Sequence, residues 1–121
     1  MNKFNKYSIP LVKILLSFAF LSAGVFKLIG AEQMVGMFEQ IGWGQWFRYV
    51  TGLIEISSIV LIWTPNKQIF GAMLLVCTMI GATITHIVLG FPGVSMAIIL
   101  GVLAAYIVYC YRDQLNPSLN D

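Results

Sequence analysis

The feature that most constrains this chain is a carboxylate in the middle of an apolar segment that is long enough to cross a bilayer. The segment runs from Trp46 to Thr64, and Glu55 lies at its centre. A charged side chain at that depth costs on the order of 3 kcal/mol on insertion scales. A fold that keeps this segment in a membrane must therefore enclose the carboxylate among other helices that supply its partners.

The spacing of the polar residues predicts which face of this helix is enclosed. Polar and small residues recur at intervals of three and four, which places them on one face of an α-helix. They are Arg48, Thr51, Gly52, Glu55 and Ser58. The other faces carry apolar residues such as Leu53 and Val60, which suit lipid. We therefore expect the polar face to pack against protein or a water-filled cavity.

The composition of the whole chain also indicates an integral membrane protein. Of its 121 residues, 59% are hydrophobic and 10% are charged. An ordinary soluble domain has about a quarter of its residues charged. The length suits a single domain over residues 1–121. The net charge of +2 is small and scattered along the chain, so nothing in it indicates a nucleic-acid partner.

Four apolar segments predict an all-α fold, a polytopic membrane four-helix bundle. The predicted spans are residues 11–29, 46–64, 69–89 and 94–111. Residues 30–45, between the first two spans, mix apolar and polar positions and predict a short amphipathic helix at the membrane interface. A cleaved signal peptide is the alternative for the first span. Its length of about 19 residues and the lack of an Ala-x-Ala site favour a retained helix.

The first span has a polar face of its own. Its members recur at intervals of three and four and are Lys13, Ser17, Phe20, Gly24 and Lys27. Each lysine can extend toward the nearer membrane interface, Lys13 at one side and Lys27 at the other. Two roles therefore stay open for these lysines: interface anchors, or members of a functional site.

The basic residues predict the orientation in the membrane. With four spans, both termini and the turn after the second span lie on one side. That side carries Lys3, Lys6, Lys67 and Arg112. The positive-inside rule places this side, and with it both termini, in the cytoplasm.

Ionisable residues of three spans lie within reach of one another. Lys27, His86 and Glu55 lie roughly 5, 5 and 13 Å from the outer ends of their helices, and a lysine side chain or water can bridge the difference. We expect these three and Arg48 to form a polar cluster in which Glu55 meets Lys27 or Arg48. Two interpretations stay open: structural ion pairing, or a site for a small polar-headed molecule or a proton relay.

The remaining motifs do not indicate a metal or a catalytic residue. Cys77 and Cys110 are far apart and form no C-x-x-C pair, so neither a redox pair nor a zinc site is indicated. In the last span Ala97, Gly101 and Ala105 recur every fourth residue, a pattern typical of close helix packing. This face is available for packing within the chain or against another protein.

The segments with these residues resemble the DoxX and DoxX-like membrane proteins. The similarity covers residues 11–110. It is carried by Lys13–Leu16, Ala23–Leu28, Gly52–Glu55 and Met79–His86. The resemblance implies a four-helix protein of the bacterial inner membrane. It singles out Lys27, Glu55 and His86 as matches to the family pattern, which usually has arginine where Lys13 stands.

The resemblance also implies a link to membrane oxidoreductase systems, because some relatives are subunits that act on sulfur compounds and quinone. It favours an accessory subunit that binds a quinone-like or lipid-like small molecule between its helices. A quinone, bound without a covalent link, is the candidate cofactor, and catalysis is left open. The alternatives are a proton-coupled carrier acting as a dimer, and an assembly or chaperone subunit without chemistry. The expected partners are the bilayer, oxidoreductase subunits or a second copy of the chain.

Overall fold

The computed structural model describes residues 3–115, with side chains from Lys6 onward, and all regular structure in this range is helical. The elements in chain order are α1 (Lys3–Ile29), α2 (Glu32–Ile41), α3 (Trp46–Ile62), α4 (Gln68–Leu89), α5 (Val94–Cys110) and a short 3₁₀ helix (Arg112–Leu115). The prediction of an all-α fold is confirmed for the described residues. Lys3 is named among the basic residues above, but its side chain lies outside the described part.

The helices match the predicted spans closely except at the start of α1. This helix begins at Lys3, well before the predicted start at residue 11, and it continues through Pro10. A proline inside a helix removes one backbone hydrogen bond. The additional segment is tied to α5 by a hydrogen bond of 2.6 Å between the hydroxyls of Ser8 and Tyr106. That tertiary contact is not visible in the hydropathy of the sequence.

Four of the helices contact one another in a closed circuit. α1 packs along α3, α3 along α4, α4 along α5, and α5 returns to α1 over a smaller interface. Their inward faces form an apolar core. Its most deeply buried side chains are Leu16, Phe20, Ile62, Ile69, Leu75 and Ile107. Among the polar residues, Lys13, Arg48, Glu55 and Ser58 are also buried.

The outward faces of the same helices are apolar as well. Phe18 and Val88 are 77% and 74% exposed, and many other large apolar side chains are exposed around them. Two helices, Lys6–Ile29 and Gln68–Leu89, are long and apolar enough to cross a membrane. Val94–Cys110 is a shorter apolar helix. An exposed apolar surface of this extent is typical of proteins that are surrounded by lipid.

Glycines allow the closest approaches between helices. A Cβ added at Gly24 of α1 would lie 2.7 Å from Cγ1 of Ile56 and 3.1 Å from the carbonyl oxygen of Gly52, both on α3. At Gly71 of α4 an added Cβ would collide with the backbone of α3 at Ser58. Since a side chain would collide at either position, glycine lets the helix axes approach at both crossings.

The short helix predicted between the first two spans is present as α2. It buries Phe38 and ends at Gly42, whose left-handed backbone (φ 83°) lets its N–H donate to the carbonyl of Phe38. Glu32 and Glu39 lie on its exposed side. The exposed side chain of Trp43 follows in the loop. The location of α2 at the membrane interface stays a prediction.

Candidate functional site

An ion pair between α1 and α3 is the centre of the candidate site. Nζ of Lys27 lies 2.6 Å from Oε1 of Glu55. The side chain of Glu55 is 2% exposed and that of Lys27 is 14% exposed. A pair without net charge is much less costly to place in an apolar bundle than either charge alone. Of the two predicted partners of Glu55, Lys27 forms the contact, and the carboxylate does not point to the outer surface.

The Gly24–Gly52 crossing explains how the lysine reaches the carboxylate. A Cβ added at Gly52 would lie 3.1 Å from Cβ of Lys27. The lysine stem therefore begins directly over Gly52, and Glu55 lies three residues further along α3. The side chain follows α3 for about one helical turn, roughly 5 Å, before its ammonium meets the carboxylate.

Arg48 lies beside the ion pair but contacts other groups. It is 5% exposed. Its Nη1 donates to the carbonyl oxygen of Lys27, and its Nε donates to Oε1 of Gln45 at 2.7 Å. The carbonyl of Lys27 belongs to the last turn of α1, where backbone carbonyls lack partners within the helix. Arg48 therefore caps α1, at the end where the helix dipole favours a cation.

Gln45 joins this network to α2, and the sequence analysis missed it. Its Nε2 donates to the carbonyl oxygen of Val35 at 3.1 Å, while its Oε1 accepts from Arg48. A glutamine in a loop beside two tryptophans resembles an ordinary exposed residue. The one signal available was its position three residues before Arg48, which is a spacing that lets side chains meet near a helix start.

His86 lies outside this network. Its ring packs edge-on against Phe91 in the turn after α4, with 5.8 Å between the ring centroids. Its Nδ1 is buried and has no hydrogen-bond partner among the described residues. Of the predicted four-residue cluster, Lys27 pairs with Glu55 through its side chain and accepts a hydrogen bond from Arg48 at its backbone carbonyl. His86 is separate because its ring turns toward Phe91 and Gly93.

The threonines of α4 are satisfied within their own helix. Thr78 donates to the carbonyl oxygen of Leu74 and Thr83 to that of Met79, each at 2.7 Å. Such bonds let a hydroxyl lie in apolar surroundings without an outside partner. The threonines therefore leave no unsatisfied donor for the site.

The small residues of α5 serve packing within the chain over part of their length. Ala97 is 6% exposed, and a Cβ added at Gly101 would lie 3.2 Å from Cβ of Met79 on α4. Ala105 is exposed. All three border a shallow groove between α4 and α5 with a volume of about 320 Å³. The groove is apolar, and Thr83 is its one polar lining residue.

The geometry limits what the network can do chemically. It holds a carboxylate, an ammonium and a guanidinium. Among the described residues no group of His, Cys, Asp and Glu side chains could hold a metal ion. Lys27 is the most accessible of the three charged members, and its ammonium has three N–H donors. It can therefore donate to the carbonyl or phosphate oxygen of a bound molecule while it stays paired with Glu55.

The sequence profile of the DoxX-like family matches residues 11–108. The chain belongs to the DoxX-like family. This confirms the resemblance, and the matched range contains all four residues of the predicted cluster. No curated protein and no solved structure matches this DoxX-like chain. The ligand must therefore be argued from the site itself.

Proposed function

We propose that this DoxX-like protein spans the bacterial inner membrane four times, with both termini in the cytoplasm. The closed circuit of α1, α3, α4 and α5 supports a polytopic four-helix bundle. With 17 residues each, α3 and α5 are about 25 Å long, close to the bilayer core of about 30 Å. Reporter fusions at the C-terminus and in the turn at residues 90–93 test this topology. A C-terminal reporter that is active outside the cytoplasm would contradict it.

We further propose that the protein is an accessory subunit of a membrane oxidoreductase system and binds the polar head of a quinone-like or lipid-like molecule. The observation that carries this is the ion pair of Lys27 and Glu55, which is enclosed by helices yet leaves part of the lysine accessible. The carboxylate keeps the ammonium charged and oriented. The ammonium then donates to a ligand oxygen, and the apolar helix faces accommodate the tail.

Ligand binding by the purified protein tests this function. The protein is isolated in a mild detergent, extracted with solvent and analysed for bound quinone, and its melting temperature is measured with a short-chain quinone added. Glu55→Gln is compared with Glu39→Gln, the same chemical change at an exposed position on α2. We expect a ligand-dependent rise in melting temperature that Glu55→Gln abolishes and Glu39→Gln retains.

The same experiment separates the binding site from a purely structural ion pair. In the structural case, Glu55→Gln lowers the melting temperature with and without quinone by the same amount. No copurified quinone and no quinone-dependent shift in the unmodified protein would count decisively against the proposed function.

A membrane assembly subunit is the second candidate function. It is favoured by the apolar groove between α4 and α5, which another membrane helix could fill. Gly101→Cys, in a chain whose Cys77 and Cys110 are replaced by alanine, places a crosslinking site in this groove. Crosslinks to another membrane protein support this candidate, and products confined to the chain itself argue against it.

A further inference from the structure

A buried lysine in the N-terminal half of α1 has no carboxylate partner among the described residues. Lys13 is 8% exposed, and no acidic side chain of residues 6–115 forms an ion pair with it. Its Nζ lies 4.4 Å from the ring centroid of Trp63 and 5.4 Å from that of Tyr111. It also donates to the hydroxyl of Tyr111 at 3.2 Å. We call Lys13, Ser17, Trp63 and Tyr111 the aromatic cluster.

Trp63 and Ser17, two members of the aromatic cluster, already use all their side-chain hydrogen-bond donors. Nε1 of Trp63 donates to the hydroxyl of Ser17 at 2.7 Å, and this hydroxyl donates to the carbonyl oxygen of Lys13 at 2.7 Å. The indole and the serine therefore have no proton left to donate, and they fix the position of the ring that lies over the ammonium.

Lys13 and Tyr111, the other two members of the aromatic cluster, have hydrogen-bond donors that are not used. An ammonium has three N–H groups, and one of those on Lys13 is bonded to Tyr111. The Tyr111 oxygen accepts in that bond, so its own proton stays available. Two ammonium protons and one phenol proton thus remain, and no hydrogen-bond acceptor among the described residues takes them. A negatively charged oxygen is the group that satisfies such an arrangement.

The charges around the aromatic cluster are mixed. Arg112 follows Tyr111 directly, so further positive charge lies nearby in the sequence. The C-terminal ends of α3 and α5 carry partial negative charge, which offsets part of the cost of burying the ammonium but works against an anion. An anion must therefore be held by the Lys13 ammonium and the Tyr111 phenol. Asp113 has an interaction of its own and does not pair with Lys13.

We propose that the aromatic cluster binds the phosphate of an anionic lipid. Lysine binds phosphate as a point charge, and tryptophan and tyrosine are typical of the headgroup level of membranes. Leu11 and Ile14, beside Lys13 in the sequence, are 58% and 57% exposed and offer apolar surface to acyl chains. The proposal rests on the proposed topology, which places this end at the anionic cytoplasmic leaflet, and is independent of a ligand at Glu55.

Native mass spectrometry of the detergent-purified protein tests the proposal. Retention of phosphatidylglycerol is compared with that of phosphatidylcholine with the same acyl chains. We expect preferential retention of phosphatidylglycerol, weakened about tenfold by Tyr111→Phe, which removes one charge-assisted hydrogen bond and keeps the ring. Lys13→Gln should weaken it at least as much. Lys67→Gln, which removes an exposed charge at the same end, should leave retention within about twofold.

Three results would overturn the proposal. The first is equal retention of the two lipids, and the second is wild-type retention of phosphatidylglycerol by both Tyr111→Phe and Lys13→Gln. The third is displacement of the lipid by an equal concentration of inorganic phosphate, which would make a soluble anion the occupant. Melting temperatures of the variants establish that they are folded. The quinone-dependent shift should survive Tyr111→Phe, so a failure here is distinct from a failure of the proposed function.

Discussion

Lys27 and Lys13, which both lie on α1, are stabilised in opposite ways. Lys27 lies 2.6 Å from the carboxylate of Glu55 and forms a pair without net charge. Among the described residues, the contacts of the Lys13 ammonium are with two aromatic rings and a phenol hydroxyl. In the first arrangement the two charges neutralise each other. In the second, no described residue neutralises the positive charge of the ammonium, so this end of the molecule attracts an anion.

This difference determines what each lysine contributes to stability. A buried ion pair that loses one member leaves an uncompensated charge, which costs about 3–5 kcal/mol. A cation over aromatic rings gains about 2 kcal/mol or less, and its removal leaves only neutral groups. The two lysines should therefore respond very differently to the same substitution.

The largest effect is expected for Lys27→Met. The change leaves the Glu55 carboxylate buried without a partner, and it should lower the free energy of unfolding by about 3–5 kcal/mol. Unfolding by SDS titration, followed by tryptophan fluorescence, measures this. The double variant Lys27→Met, Glu55→Leu removes both charges and should recover most of the loss. A loss of about 1 kcal/mol or less, as for an exposed pair, would contradict the picture of an enclosed ion pair.

An intermediate effect is expected where α1 and α3 cross. Gly24→Ala inserts a methyl group that would lie 2.7 Å from Ile56, and it should lower the free energy of unfolding by about 1–3 kcal/mol through overpacking. Gly81→Ala is the matched control, because no atom lies within 4 Å of the added group. The control should be neutral or stabilise by about 0.5–1 kcal/mol. Equal effects of the two substitutions would refute the close crossing that positions the ion pair.

A smaller effect is expected for Arg48→Lys. The guanidinium of Arg48 donates to Gln45 and to the backbone carbonyl of Lys27 at the end of α1. A lysine ammonium cannot make both hydrogen bonds with this geometry, so the free energy of unfolding should fall by about 1–2 kcal/mol. Arg112→Lys is the control. Both arginines lie over a tyrosine ring, Arg48 over Tyr49 and Arg112 over Tyr109, and both donate to a backbone carbonyl, but Arg112 does so on the exposed surface. It should change stability by less than about 0.5 kcal/mol. Equal changes in the free energy of unfolding for both variants would mean that Arg48 at the end of α1 contributes no more to stability than an exposed arginine.

The smallest effect is expected for Lys13→Met. The methionine removes a buried charge as well as its ring contacts, and these two changes nearly cancel, so the free energy of unfolding should change by less than about 1 kcal/mol. The same SDS titration compares it directly with Lys27→Met. Comparable losses for the two variants would mean that Lys13 has a counter-charge after all, and the contrast between the two lysines would be lost.

Much of the fold follows from local sequence patterns. Hydropathy and spacing predicted all the α-helices and the all-α class, and they predicted that Glu55 and Ser58 face inward. A contact of Glu55 with Lys27 or Arg48 was also predicted, and Lys27 is the partner that the structure shows. Hydropathy and helical periodicity depend on residues within a few turns, so the sequence contains them directly.

The sequence alone therefore determined the helices, their enclosed faces and the need for a partner to Glu55. The tertiary structure decided which groups meet. It turned His86 toward Phe91, used Arg48 and Gln45 to tie down the end of α1, and enclosed Lys13 between two rings where an interface anchor was an open interpretation. The physical reason is that contacts between helices depend on rotation, crossing point and side-chain reach. These are fixed only when all helices pack together.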